Sequence, residues 1–448
     1  MTEERKQKRV EPRVPRGMRD ILPQKMILRE YVIGVIRQVF EEFGFEPLQT
    51  PAIELRETLM GKYGPDAERL IYDAGHAGGK EELALRYDLS VPLCRVLAQY
   101  PELIKPFKRY QIAPVWRAER PQKGRYREFY QCDADTVGSS SMLADAETLA
   151  LTYEILSRLG FRGFVMYLND RKLLNGIGQY AGVSGEQLPG LYRSIDKLAK
   201  IGLEKVEEEL RRNLIPEDTI GRMMELLQIE GSSQEVLARL RIVLAGYPDA
   251  MDGLGEIAEI LGYLEALGIP EQFYRFSPAM VRGLEYYTGP VFETIVEEPK
   301  IGSLTGGGRF DKLVGMFLER SLPATGTTIG IERIIDVMEE LDMFPPEVGR
   351  TVTQVLVTRF SPELVDESLR LAGTLRSAGL KAELYLEDEP LARQIRYADR
   401  RGIPYVAVLG PDEAAAGRVS LRDLAAQQQV TVAREDAAAQ LRGWLQGR

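Results

Sequence analysis

Two extended stretches joined by a short polar loop set the strongest limit on what this chain can fold into. Residues 107–137 read as extended throughout, apart from "PQKG" at 121–124, where Pro and Gly interrupt the pattern. That arrangement predicts two antiparallel strands joined by a basic loop. In a strand, alternate residues share a face. Arg125, Arg127, Phe129, Gln131, Asp133 and Asp135 therefore point one way, and Tyr126, Glu128, Tyr130, Cys132 and Ala134 point the other. The first face is graded from guanidinium through aromatic and amide to carboxylate. Arg117 and Glu119 share a parity on the preceding strand. A planar guanidinium grips phosphate through paired, charge-assisted hydrogen bonds, each contributing roughly 1.5–3 kcal/mol. A neighbouring aromatic can stack on a base, and a distal Gln and Asp can take the donors of a second, small substrate. The grading fits a site for ATP plus a small molecule; the competing reading is a solvated hairpin whose charges pair across strands.

Composition narrows the chemistry. The formal net charge is -9, so no global cationic field is present, and nucleic acid would have to meet local patches. The two cysteines, Cys94 and Cys132, and the one histidine, His76, supply neither a Cys/His zinc site nor a disulfide framework. They also argue against histidine-based acid–base catalysis and fit a reducing compartment. The N-terminal run "MTEERKQKRVEPR" lacks the apolar core of a secretory signal, and no apolar segment approaches membrane-spanning length. The expectation is a cytoplasmic protein without a membrane partner, led by a flexible tail at 1–13.

The 448 residues suggest about three domains. Leu28, Tyr31, Val32, Val35, Ile36, Val39, Phe40 and Phe43 form one apolar helical stripe that ends at Gly44. "FEPLQTPAIE" follows as an edge segment, because Pro47 and Pro51 exclude a central strand. "LALRYDLSVPLCR" puts Arg86, Asp88 and Ser90 at alternate positions, as on one polar strand face. Residues near 142–159 are helical and "FVMYLND" is a strand. Residues 172–267 read as a helical insertion, with "SIDKLAKIGLEKVEEELRRN" a helical stretch. Strand-like sequence resumes over 268–343, where "TGGGRFDKLV" reads as a glycine-rich turn leading into helix. Its Gly306, Gly307 and Gly308 would allow close backbone approach to a ligand. "TGTTIGIERIIDVMEEL" is a strand–helix transition that puts Glu332 and Arg333 early in the helix. A linker at 344–349, "FPPEVG", precedes residues 350–448, whose strands "QVLVTRF", "KAELYLE" and "YVAVLG" alternate with helical patterns in βαβ fashion.

Together these segments resemble the class II aminoacyl-tRNA synthetases, and within them the histidyl-tRNA synthetase family, over residues 14–448. "VPRGMRD", with its helix and Pro51, resembles motif 1, the dimer-interface motif. "VWRAERPQKGRYREFYQ" resembles motif 2, and "GTTIGIERI" resembles motif 3. "VRGLEYYTGPVFE" and "GGGRFD" resemble the two signatures peculiar to the histidine enzyme. "LMGKYG" and "REFYQCDAD" are similar to the eukaryote-like branch, and "ERPQKGR" to the bacterial form.

The resemblance implies an α/β fold with an α+β catalytic domain: an antiparallel sheet flanked by helices, residues 14–171 and 268–343. The helical insertion divides it, and an α/β anticodon-binding domain at 350–448 follows. It also implies roles. Arg117 would hold the α-phosphate, Glu119 the adenine amino group and Arg125 the outer phosphates. Phe129 and Arg333 would cover the two faces of adenine. Asp88, Ser90 and Gln131 would bind the amino end of histidine, with Asp135, Tyr286, Tyr287 and Phe310 toward its imidazole. Arg282 would be the distinctive catalytic arginine, beside the α-phosphate and the carboxylate, with Arg117 as its catalytic companion. Arg120 and Gln122 would meet the tRNA acceptor end. The implied partners are ATP, L-histidine, tRNA(His) and a second copy of the chain through the motif 1 region. Mg2+ would come with ATP, and no metal ligand is assigned.

The chemistry suits these residue types. In activation the histidine carboxylate attacks the α-phosphate and pyrophosphate leaves; fixed cations and Mg2+ stabilise the spreading charge without a protein nucleophile. Three positions depart from the family pattern: Glu285 replaces the usual Asp, Phe310 the usual Tyr, and Gly306 a small alanine. One lost hydroxyl contact at Phe310 is worth about 1 kcal/mol. The alternative is a non-catalytic, histidine-sensing relative like the regulatory subunit of ATP phosphoribosyltransferase. That family normally lacks the C-terminal domain and an intact motif 3; Arg333 and residues 350–448 favour the enzyme.

Overall fold

A computed structural model describes residues 10–63, 68–122, 124–183, 188–195, 202–213, 215–281, 286–318, 320–346 and 348–447. Most of the tail expected at 1–13 lies outside the described residues, as do Arg282 and Glu285. The chain divides into two compact units, one of Met1–Asp20 with Val32–Met343 and one of Ile21–Tyr31 with Phe344–Arg448.

The first unit is built on an eight-stranded sheet. Its strands are β1 (Glu46–Pro47), β5 (Phe107–Trp116), β6 (Glu128–Val137), β7 (Phe164–Asp170), β8 (Tyr274–Phe276), β9 (Pro290–Val296), β10 (Thr305–Arg309) and β11 (Ala324–Ile329). They lie in the order β1-β5-β6-β11-β10-β9-β7-β8. Every pairing from β5 to β7 is antiparallel; only the outermost, β1 with β5 and β7 with β8, are parallel. A smaller sheet holds β2 (Ile53–Leu55), β3 (Asp73–Ala74) and β4 (Leu83–Leu85), in the order β2-β4-β3. The segment with Pro47 does supply an edge strand, as its missing N–H requires.

The predicted hairpin forms in full. β5 and β6 pair from Phe107 opposite Val137 to Trp116 opposite Glu128, a register mirrored about position 122. The helix Pro23–Glu42 ends before Gly44, which takes a left-handed φ of 76° and lets the Phe45 N–H return to the Phe40 carbonyl. The helix Met142–Arg158 begins on Ser141, whose side chain accepts from the Leu143 N–H.

Two readings need correction. The strand β4 stops at Leu85, so Arg86, Asp88 and Ser90 do not share a strand face; Ser90 opens the helix Ser90–Gln99. The Asp88 carboxylate accepts the Val91 N–H at 3.0 Å, and Pro92, lacking an N–H, is tolerated in the first helical turn. Gly306–Gly308 do not form a turn before a helix either, because they lie inside β10. A Cβ on Gly307 would stand 2.0 Å from the Gly326 carbonyl oxygen of β11. Glycine is there to let two strands meet.

Between β7 and β8 the chain is helical: Arg171–Ala181, Leu188–Ile195, Leu203–Arg212, Glu217–Leu227, Ser233–Val243 and Pro248–Ala266. The long helical stretch read from "SIDKLAKIGLEKVEEELRRN" is partly outside the described residues. Its described part divides at Gly202, whose φ of 83° precedes the helix Leu203–Arg212.

The second unit carries β12 (Val355–Val357), β13 (Ala382–Leu384), β14 (Tyr405–Val408), β15 (Arg418–Asp423) and β16 (Gln428–Ala433), in the order β13-β12-β14-β15-β16. The first three are parallel, as the βαβ pattern predicts, and the last two add an antiparallel hairpin that the sequence reading lacked. Both faces of the parallel part are covered. Val355, Val357, Tyr405 and Ala407 enter one core, Leu356, Val406 and Val408 the other.

Candidate active site

The hairpin delivers its loop side chains to a cavity of about 940 Å³ in the first unit. Of the residues singled out from sequence, Arg117, Glu119, Arg125, Phe129, Gln131 and Arg333 line it. They come from three elements: the end of β5 with its loop, β6, and the helix Ile331–Glu340.

Arg117 is held by a carbonyl and by rings. Its Nε donates to the Tyr87 carbonyl at 3.1 Å, and its guanidinium lies 4.4 Å from the Tyr87 ring centroid and 5.1 Å from that of Phe129. Such packing fixes the fork while leaving its charge for an anion. Arg125 is exposed and its Nε meets Glu119 Oε2 at 3.0 Å. An exposed pair of this kind contributes little stability, at most about 1 kcal/mol, so a phosphate can displace it. Arg120 and Gln122 are also exposed, and the loop closes where Gln122 and Arg125 exchange backbone hydrogen bonds. Arg333 donates from Nη1 to the Ser303 carbonyl at 2.6 Å. Glu332, beside Arg333 at the start of the helix, is buried. Its carboxylate pairs with Arg19 and accepts the Tyr130 N–H.

Inward from Gln131 the β6 face becomes buried and acidic. The amide of Gln131 donates to Thr328 Oγ1 at 3.3 Å and to Asp133 Oδ1 at 3.4 Å. Asp135 faces Arg109 directly across the hairpin, Oδ2 to Nη2 at 2.7 Å, with both side chains almost wholly buried. Burial pushes the Asp135 carboxyl up to about 6, with Arg109 opposing. Burial, and then Asp135 nearby, push Asp133 up to about 7. Asp88 accepts from the Tyr63 hydroxyl at 2.9 Å and is likewise raised, chiefly by burial. Tyr287 and Phe310 belong to one buried cluster, against which Tyr286 packs. Tyr286 meets Tyr287 at 5.0 Å and Phe310 edge-on at 6.1 Å. Glycines make the room: a Cβ on Gly326 would stand 2.1 Å from Asp135 Oδ1, and one on Gly308 3.0 Å from the Tyr287 ring.

Asp88, Ser90, Asp135, Tyr286, Tyr287 and Phe310 are not among the residues that line the cavity. Arg282 stands outside the described residues. Sequence reading missed Arg109, Tyr63 and Tyr87, which hold Asp135, Asp88 and Arg117 in turn, and the wall residues Glu293, Lys300 and Thr328.

No cluster of three or more His, Cys, Asp or Glu that could hold a metal ion occurs among the described residues. The cavity does present Glu119, Glu293 and Glu332. That sparse donor set fits a Mg2+ bound mainly by phosphate oxygens and water, which needs only one or two carboxylates. No described helix is long and apolar enough to cross a membrane.

Comparison with known proteins adds the lineage. A family model described as histidyl-tRNA synthetase matches residues 17–334, and one described as anticodon binding domain matches 354–444. A histidine–tRNA ligase of Gloeobacter violaceus is 44% identical over 444 residues, covering 92% of this chain and 94% of its own. One from Aeropyrum pernix is 44% identical over 422 residues, covering 94% and 95%. The crystal structure of histidyl-tRNA synthetase from Nostoc sp. PCC 7120 superposes with a TM-score of 0.88 at 33% identity, covering 97% of this chain and 100% of that one.

Proposed function

The chain belongs to the histidyl-tRNA synthetase family, and from that premise we propose how its residues divide the work. It is a class II aminoacyl-tRNA synthetase that activates L-histidine with ATP to histidyl-adenylate and charges tRNA(His). The regulatory reading is not favoured, since near full-length relatives are named histidine–tRNA ligases.

ATP lies along the cavity, its α-phosphate on Arg117 and its outer phosphates on Arg125 once that side chain leaves Glu119. Glu119 then takes the adenine amino group, and the base sits between Phe129 and Arg333. Histidine lies deeper: Gln131, Asp88 and Ser90 take its ammonium group, and Asp135, Tyr286, Tyr287 and Phe310 surround its imidazole. Arg282 completes the charge around the reacting carboxylate and α-phosphate. The carboxylate oxygen forms a bond to the α-phosphorus as the bond to the pyrophosphate oxygen breaks. Mg2+ entering with ATP would supply further positive charge at the phosphates, and Glu293 and Glu332 are two carboxylates on the cavity wall that would hold it. Arg120 and Gln122 are free at the loop tip to meet the acceptor end of tRNA.

The observation that carries this assignment is the convergence of Arg117, Glu119, Arg125, Phe129, Gln131 and Arg333 on one cavity. Residues 14–171 and 268–343 act as the catalytic domain; that they jointly supply the eight-stranded sheet supports this. Residues 172–267 insert into it, 344–349 link, and 350–448 read the anticodon. The enzyme works as a homodimer through the motif 1 region, in the cytoplasm.

Histidine-dependent exchange of pyrophosphate into ATP tests the proposal. The purified protein should exchange with histidine and with no other standard amino acid. A folded protein that binds histidine without exchange would return the regulatory reading.

A further inference from the structure

Arg86 was singled out in the sequence and takes no part in the assignment above, yet it is one of the most buried charges in the first unit, only 3% exposed. Its guanidinium ties two separate stretches of backbone. Nε donates to the Pro114 carbonyl at 2.9 Å, and Nη1 donates to the Thr50 carbonyl at 2.8 Å and the Pro51 carbonyl at 3.3 Å. Its own backbone repeats the link. The Arg86 N–H donates to the Ala52 carbonyl at 3.0 Å, and the Arg86 carbonyl accepts the Trp116 N–H at 3.1 Å.

These bonds converge on Arg117. Trp116 precedes it directly in the chain. Tyr87, next to Arg86, supplies both the carbonyl that receives Arg117 Nε and the ring beneath its guanidinium. The Arg86 side chain thus anchors position 86, next to Tyr87, and position 114, two residues before Trp116, the two stretches from which Arg117 is hung. A lysine cannot reproduce this. It has one nitrogen, whereas the three carbonyls diverge and suit donors set apart on a planar fork.

We propose that Arg86 is a positioning residue for adenylate formation, acting through Tyr87 and Trp116 to set the guanidinium of Arg117 against the α-phosphate. The proposal rests on the reading of Arg117 as the phosphate-holding arginine. A misplacement of about 1 Å at a reacting group can cost on the order of a hundredfold in rate. The loss falls on turnover rather than on affinity when the contact tightens in the transition state.

The test measures histidine-dependent pyrophosphate exchange for Arg86→Lys and Arg86→Gln, each made in the wild type and in an Arg117→Lys background. Melting temperature and dimer mass are recorded for every protein. In the wild-type background kcat should fall roughly tenfold to a hundredfold, with KM for ATP and histidine within about threefold. In the Arg117→Lys background the same substitutions should cost less than about twofold, because a residue that acts through Arg117 has nothing left to position. Unchanged kcat in the wild-type background overturns the proposal, and so does an equal loss in both. If both substitutions abolish the folded dimer, Arg86 is purely structural and the proposal also fails. Should Arg117→Lys alone leave exchange intact, the failure lies instead in the assignment of Arg117.

Discussion

Gly326→Ala probes the buried acidic end of the β6 face with a single methyl group. Gly326 sits directly opposite Asp135 in the β6–β11 pairing. A Cβ there would stand 2.1 Å from Asp135 Oδ1 and 2.7 Å from the Ala134 carbonyl oxygen. Carbon and oxygen settle at roughly 3.3–3.6 Å, so one partner must retreat by about 1.2 Å. The Asp135 side chain can swing away, and the approach to the Ala134 carbonyl needs the two strands to part by roughly 0.6 Å as well. The swing draws Oδ2 away from Arg109, now at 2.7 Å. Overpacking of this size costs about 1–3 kcal/mol of stability, which a large unit can survive. Under the proposed assignment the cost to function is the displaced contact with the imidazole, about 1.5–3 kcal/mol for a charge-assisted bond. In kcat/KM for histidine that is roughly a tenfold to hundredfold loss. Pyrophosphate exchange at varied histidine reads it, with KM for ATP expected within about twofold because the proposed assignment gives Asp135 no contact with the nucleotide. Gly34→Ala is the control, since a Cβ there meets nothing within 4 Å. A folded Gly326→Ala enzyme with unchanged kcat/KM for histidine would refute the assignment of Asp135. Equal rises in both KM values would refute the division of the cavity.

Other outcomes follow from the same geometry. Phe310→Tyr should leave the apparent affinity for histidine unchanged or improve it, because the ring already packs edge-on to Tyr286; a strong loss in a histidine titration would mean that the pocket has repacked around phenylalanine. Asp145, buried against Arg309, has its carboxyl pushed up to about 6 by burial despite that partner. The folded state thus binds the proton more tightly than the unfolded state, whose carboxyl titrates near about 3.9. This contribution is full below that value and is lost as pH rises through about 6. Urea midpoints of the wild type should therefore fall relative to Asp145→Asn between about pH 4 and pH 7, and a gap moving the other way would refute the sign. A chain ended at Gly349 should lose tRNA charging far more than exchange, since anticodon contacts help place the acceptor end. Both assays on one folded dimeric preparation decide it: equal losses would tie residues 350–448 to the activation chemistry.

The hairpin was legible because two physical signals agreed, strand alternation and a loop with Pro and Gly. Arg109 was legible in principle. Once the loop is centred on 122, it falls opposite Asp135, and an arginine between Phe107 and Gln111 on one strand face calls for an acid there. Asp88 and Ser90 misled for a local reason: two-residue spacing is shared by a strand and by the approach to a helix, and the decision fell to Pro92 and the Asp88–Val91 hydrogen bond. The glycines of β10 carried no periodic signal, because their purpose is the close passage of β11, distant in sequence. Tyr63 and Tyr87 were illegible for a similar reason. What they hold is defined only by tertiary contact.

The mirrored register of β5 and β6 also limits how this chain can change length. Removing one residue inside either strand would turn every later side chain on it to the opposite face. The guanidinium-to-carboxylate gradient would then point away from the cavity. Residues added between Glu119 and Arg125 leave the β5–β6 ladder intact, because it begins at Trp116 and Glu128, and disturb only the single bridge between Gln122 and Arg125. Insertions and deletions are therefore tolerated at the tip of this hairpin and not along its arms. The tip is where Arg120 and Gln122 stand exposed, so reach toward a large external partner can be lengthened or trimmed without changing the face on which Arg117, Phe129, Gln131 or Asp135 stands.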